Sequence, residues 1–366
     1  MPGIRSTSRT FREERTVPVG PGPHLHLGYL RETGRVWVSN TGGEDITLLD
    51  EATGEVAGRI ACGPGPVHFV FDAACDVGCV ALSRDDAVAV VDPRREMVTG
   101  RVELPTGSHP MALMPAFERS RVYTLNPGLQ SVSALDTGAC RVAATIPVGR
   151  EPMWGQPWGS SYKPITRPVG KSYFVCAGSD AVTVLDDATD SVLRTVPVGR
   201  RPVRNAIFRE KGLIYVANEA DGTVGAIRIE DDRLVATVPV GIRPFRMLPV
   251  QSICGRDELW VLNAGSHESP VGEISLVSGE QHEVVGTLPV PDLPANWVVN
   301  AAGLLFVAGG RTQELAVLDI RAGAQVGEGT LSREPQHGAI SGLAFTRSEK
   351  LFILNSDATV SVFRGT

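Results

Sequence analysis

Short apolar runs rich in Val, Ile, Leu, Tyr and Phe recur along the whole chain, separated by clusters of Gly, Pro, Asp and Asn. Runs such as Arg35-Val36-Trp37-Val38-Ser39-Asn40, Val88-Ala89-Val90-Val91-Asp92 and Leu213-Ile214-Tyr215-Val216-Ala217-Asn218 carry the β-branched and aromatic residues of strands. Their alternation of period two is only partial. That is the pattern of strands packed on both faces. No segment sustains a helical period, so the pattern predicts an all-β protein.

The runs repeat in register. A phrase Pro-Val-Gly-x-x-Pro stands at Pro18 to Pro23, Pro147 to Pro152, Pro197 to Pro202 and Pro239 to Pro244. Degenerate copies end on Pro66, Pro110, Pro294 and Pro335. The closing prolines lie about 40 to 50 residues apart, and strand-only units at that period are propeller blades. Each unit reads as an inner strand after the proline, then a second, a third and a fourth. The expectation is a single β-propeller of eight four-stranded blades, or seven if the unit at Pro294 or Pro335 is not a true blade. The last unit lacks a fourth strand, and the segment from Thr10 to Val19 matches one. The N-terminal strand is therefore expected to complete the last blade and close the ring, which removes exposed edges. Residues 10–366 form this one domain, with 1–9 as a disordered lead-in.

Composition narrows the function classes. A net charge of −6 leaves no basic footprint for nucleic acid. No apolar stretch is long enough for a transmembrane helix, so no membrane role is expected. The segment Met1 to Gly20 is polar and lacks the basic-then-apolar order of a signal peptide, which predicts a cytoplasmic protein. The six cysteines are scattered without paired metal spacing and read as reduced core residues.

The combination Val-Pro-Val-Gly-x-x-Pro (Val196 to Pro202), Ile-Tyr-Val-Ala-Asn (Ile214 to Asn218) and Val-Thr-Val-Leu-Asp (Val182 to Asp186) resembles the YVTN-type β-propeller repeat family. The resemblance covers nearly the whole chain. It implies the propeller fold. The family embraces surface-layer repeats, parts of redox enzymes and relatives of lactonases and lyases, so no single function follows. No catalytic motif of the family is matched residue by residue.

Function must therefore be read from the site. The Gly-x-x-Pro loops enter the innermost strands and gather at one mouth of the channel, with the loops between second and third strands beside them. Positions that vary inside a constant repeat are not serving the repeat. Two residues after each proline the ring reads Leu25, His68, Ala112, Trp154, Arg204, Arg246, Asn296 and His337. Immediately before each proline it reads Gly22, Gly65, His109, Glu151, Arg201, Arg243, Leu293 and Glu334. Arg201, Arg204, Arg243 and Arg246 thus form one cationic sector. Guanidinium groups grip carboxylate or phosphate through paired hydrogen bonds, and Trp154 would supply an apolar wall. The alternative is a set of solvated loop charges with local ion pairs, such as Arg201 to Glu151.

His68 and His337 share the inner ring position and are candidates for proton transfer, with Glu151 or Glu334 to orient them. A divalent metal on His68, His109, His337 and Glu334 is the minor reading, because no tight ligand motif accompanies them. No organic cofactor is implied. His24 and His26 share one face of a strand. That phase is apolar in other blades (Val67 and Phe69, Met111 and Leu113), which favours packing between blades over metal binding. His267 lies in a long loop able to reach over the arginines. The aromatic insertion from Trp154 to Pro164 suggests a lid, a plug or a contact surface.

Two functions from different classes remain. The first is an enzyme of lactonase, lyase or isomerase type. There the arginines hold an anionic or polar metabolite and stabilise negative charge, with Asn296 and His109 beside them. The second is a non-catalytic scaffold gripping a peptide or protein partner.

Overall fold

The computed structural model describes residues 11–22, 26–72, 74–116, 120–153, 170–310, 312, 314–331 and 339–365. The predicted lead-in 1–9 and the insertion from Trp154 to Pro164 lie outside the described residues.

Eight antiparallel sheets form an eight-bladed β-propeller, so the seven-blade alternative is excluded. Seven sheets have four strands; the fourth blade has three, Lys171–Cys176, Ala181–Asp186 and Ser191–Pro197. There Pro152 bridges Cys176 at the place where the inner strand of the other blades begins. A typical blade is the fifth, with strands Pro202–Phe208, Leu213–Asn218, Thr223–Arg228 and Arg233–Pro239 running outward from the centre. No described helix is long and apolar enough to cross a membrane.

The two ends of the chain share one blade. Strand Phe11–Pro18 pairs antiparallel with Thr359–Gly365, from Phe11 opposite Gly365 to Pro18 opposite Thr359. It is the outermost strand of the eighth blade, whose other strands are Ile340–Phe345 and Lys350–Asn355. Lys350, almost fully buried, fastens this junction. Its Nζ meets Glu14 at 2.7 Å and donates to the carbonyl of Ala52 in the first blade at 2.6 Å. A buried ammonium is tolerable only when so partnered.

The conserved-looking letters of the repeat have structural work. The asparagine ending the second strand donates to a hydroxyl of the third: Asn40 to Thr47, Asn218 to Thr223 and Asn263 to Ser275, at 2.8 to 3.1 Å. The glycine of Pro-Val-Gly lies against that asparagine. A Cβ on Gly199 would sit 2.7 Å from the Asn218 side chain, closer than packing permits. The core fills the spaces between blades. Trp37 meets Phe71 edge-on at 4.9 Å between the first and second blades, and Phe11 meets Phe306 at 5.7 Å between the eighth and seventh. Each such buried side chain contributes roughly 2 kcal/mol. All six cysteines are unbridged, four of them buried.

Candidate functional site

The inner strands begin with a kink. In blades two, five, six, seven and eight the pairing skips one residue just after the first position, as between Pro202 and Arg204. The residue beyond the kink faces the penultimate residue of the second strand. His68 faces Ala81, Arg204 faces Ala217, Arg246 faces Leu262 and Asn296 faces Ala308. Cross-strand partners thus define a ring position independently of the prolines.

This definition corrects two members of the expected ring. In the first blade Ser39 is bonded to His26, which accepts from its N–H at 3.0 Å, while Leu27 faces Val38. The ring residue there is His26, one step further from Pro23 than Leu25. In the eighth blade Ile340 faces Asn355 as Pro202 faces Asn218, so the ring residue is Gly342 and not His337. Pro335 is not the start of that strand. The ring therefore carries His26, His68, Ala112, Arg204, Arg246, Asn296 and Gly342. Trp154, Leu25, Glu334 and His337 lie outside the described residues.

His26 and His68 stack, with ring centroids 4.5 Å apart and planes inclined by 15°. Each accepts a backbone hydrogen bond from the following blade. The Phe69 N–H donates to His26 Nδ1 at 3.4 Å, and the Leu113 N–H donates to His68 Nδ1 at 3.2 Å. A nitrogen that accepts cannot carry a proton, so the geometry fixes both rings as neutral Nε2–H tautomers. Electrostatics agrees. Burial, then the charges of Arg246 and Arg204, hold His26 down at about 3. Burial, then His26 and Arg204, hold His68 well below its ordinary range.

Those charges come from blades three or four positions away around the ring. For a guanidinium on blade five or six to be felt by imidazoles on blades one and two, the groups must share the central space. Burial lowers Arg204 to about 10. Burial, then the neighbouring charge of Arg204, pulls Arg246 well below its usual range. Both residues are half-buried. Among the described residues Arg246 makes no ion pair.

The rim is organised differently. Arg201 and Arg243 precede the inner-strand prolines in left-handed conformation, with φ of 50° and 56°. His109, Glu151 and Leu293 share that conformation at their own blades. Both rim arginines bind one carboxylate, Glu219, at 2.9 Å for Arg201 and 3.0 Å for Arg243. Glu219 stands in the loop between second and third strands, where the repeat predicts loops of the same mouth. The expected partner Glu151 instead lies against Gly178 in its own blade, exposed. Exposed His109 sits by the Ser83 carbonyl at 3.2 Å. Asn296 bonds the Ser341 carbonyl of the next blade and is nearly buried. Neither Glu151 nor His109 joins the central cluster. Among the described residues, no group of three or more His, Cys, Asp or Glu is placed to hold a metal ion.

Two clefts open at this mouth. One of about 220 Å³ is lined by Met153, Arg201, Val203, Arg204, Glu219 and Phe245. The other, of about 340 Å³, lies over blades six to eight and includes Arg243 and His267. Glu219 and Phe245 belong to both and stand between them. Sequence reasoning missed Glu219, whose signal was its place in a rim loop beside two arginines, and His26, which a one-residue insertion concealed.

No protein-family model matches the chain, and no curated protein is similar in sequence. Solved structures are similar in shape. The crystal structure of BamB from Moraxella catarrhalis superposes with a TM-score of 0.68 at 13% identity, covering 97% of this chain and 98% of that one. Hydrazine synthase from Kuenenia stuttgartiensis gives 0.56 at 14% identity, covering 95% and 97%. At these identities the likeness concerns the fold alone.

Proposed function

We propose that the protein is a propeller that binds a small anion, a carboxylate or phosphate, in its central channel between Arg204 and Arg246. The observation that carries this reading is the pair itself. Two guanidinium groups occupy equivalent positions on neighbouring blades, half-buried, with Arg246 disfavoured by the charge of Arg204. Among the described residues Arg246 makes no ion pair, and a desolvated charge beside a like one costs stability until a counter-charge joins it. A bound oxyanion supplies that charge and accepts the paired hydrogen bonds that guanidinium groups offer.

Binding without acid–base chemistry is the reading the histidines favour. His68 is completely buried, and its Nδ1 is already engaged by backbone. The two rings act as a neutral, rigid wall opposite the arginines. A neutral wall leaves the positive potential of the arginines undiminished without adding a third charge.

The test is a thermal shift with inorganic phosphate at constant ionic strength. Wild type at a phosphate concentration 100 times the dissociation constant gains about 2.7 kcal/mol. The double variant Arg204→Ala/Arg246→Ala is expected to lose the shift, and Arg201→Ala/Arg243→Ala to keep most of it. Equal loss in both variants would move the site to the rim.

A further inference from the structure

The outer wall of the ring is not uniform. In the first six blades the outermost strand carries a bulge, one residue that opposes nothing on the third strand. In blades one to three that residue is Ala57, Thr99 or Ala143. In blades four to six it is Leu193, Val235 or Val285, exposed by 47%, 39% and 49%. Alanine or threonine serves the blade at this place, so the branched side chains are not needed for the repeat. The residue before each of these bulges adds Val192, Leu234 and Val284, also exposed, whereas Val56 of the first blade stands beside an alanine. Blades five and six differ from blade four in what flanks the band. Arg233 precedes Leu234 and Glu283 precedes Val284, but Ser191 precedes Val192. Arg233 and Glu283 thus hold equivalent positions, and both are exposed. Arg233 lies 3.8 Å from Asp231, whose two oxygens already take shorter bonds from Arg228. Among the described residues Glu283 makes no ion pair.

We infer that the outer strands of blades five and six, Arg233–Pro239 and Val284–Val290, form the contact face of a homodimer, with a second copy of the chain as the partner. The charges select that occupant. A two-fold axis between the two strands and parallel to them sets blade five of each copy against blade six of the other. Leu234 and Val235 then meet Val284 and Val285, and Arg233 meets Glu283, twice over. An isologous contact must be self-complementary in this way. The same operation between blades four and five would set Arg233 against Ser191 and leave it without a counter-charge. Curvature agrees, because a convex wall meets its twin over two neighbouring blades while a third turns away. Turns and strands over 230–239 and 280–290 supply about 20 residues a side, the lower end of a standard interface. The copies pack through side chains rather than by joining sheet edges, since the bulges, Pro239 and Pro289 interrupt the hydrogen-bonding groups of those edges. This inference is independent of the channel.

Sedimentation velocity of the full chain over a wide concentration range tests it. A monomer–dimer equilibrium is expected. Val235→Glu/Val285→Glu should raise the dimer dissociation constant by about 100-fold or more, since four carboxylates enter an apolar seam. Both positions are exposed, and thermal unfolding of the variant checks that it stays folded. Arg233→Glu and Glu283→Arg should each weaken the dimer about tenfold or more, and combining them should restore it, because the charges again oppose. Leu193→Glu on blade four should leave the dimer unchanged. A chain that stays monomeric at the highest concentration overturns the inference. So does a dimer that Val235→Glu/Val285→Glu leaves intact, a charge-swapped double variant that fails to recover, or equal weakening by Leu193→Glu.

Discussion

Two pairs of arginines stand three residues apart on the same two loops, and their circumstances are opposite. Arg201 and Arg243 sit at the rim, roughly half exposed, and share Glu219. Arg204 and Arg246 sit beyond the kink, where burial lowers the basicity of both and the charge of Arg204 lowers that of Arg246 further. Exposed pairs like those at the rim are each worth little, about 0 to 1 kcal/mol. Arg246 carries an electrostatic cost that the fold's other interactions must offset. A desolvated cation such as Arg246, held beside a like charge, is what a binding site for the opposite sign looks like before its ligand arrives. The rim arginines, by contrast, are where a reader of the sequence first looks and are already satisfied.

The largest effect expected from breaking this contrast is at Arg246. Replacing it by Met keeps the bulk and removes the charge. In anion-free buffer Arg246→Met should raise stability by about 1 kcal/mol, because an uncompensated buried charge is gone. It should also reduce phosphate affinity by roughly 10- to 100-fold, the worth of a charge-assisted hydrogen bond. Chemical denaturation with and without phosphate reads both. A variant that loses stability as well as affinity would mean that Arg246 is structural.

The histidine wall gives the next effect. Its rings are held neutral in the folded state, His26 at about 3, whereas unfolded histidines titrate near 6.5. Between these values the unfolded chain binds more protons, so stability falls as pH drops from about 6.5 towards 3. His26 contributes about 1 kcal/mol per pH unit in that window, and His68 acts in the same direction. Denaturation midpoints across pH 4 to 7 should therefore slope more steeply in wild type than in His26→Phe. Equal slopes would show that His26 is protonated in the folded protein.

The smallest effect lies at the rim. Arg201 holds φ at 50°, a conformation that costs a non-glycine residue about 1 kcal/mol. Arg201→Gly removes that strain and a weak ion pair together. Its stability should stay within about 1 kcal/mol of wild type, and phosphate affinity should change by less than about threefold. A larger loss of affinity would make the rim part of the primary site and erase the contrast.

Much of the fold was legible because repetition made it so. The proline register counted eight blades, and the missing strand of the last unit pointed to the segment that pairs with Thr359–Gly365. The site was legible where the register was regular. His68, Arg204, Arg246 and Asn296 fall at the ring position that counting from proline gives. Counting failed where the loop changed length. One added residue moved the first blade's ring position from Leu25 to His26, and five moved the eighth blade's start from Pro335 to Ile340. A proline marks a strand only where it occupies the strand's first pair, and only cross-strand pairing reports that. The partnership of Glu219 with both rim arginines was beyond reach for another reason. It joins a loop of one blade to the inner-strand entrance of the next, and the repeat period carries no information about which charges meet across that gap.

The central claim concerns where an anion goes, and heavy halides report this directly. In crystals soaked in bromide, anomalous scattering locates each bound ion. The account predicts the strongest peak in the channel between the Arg204 and Arg246 guanidinium groups, with weak or no density at Arg201 and Arg243. Bromide at the rim arginines with none in the channel would contradict it.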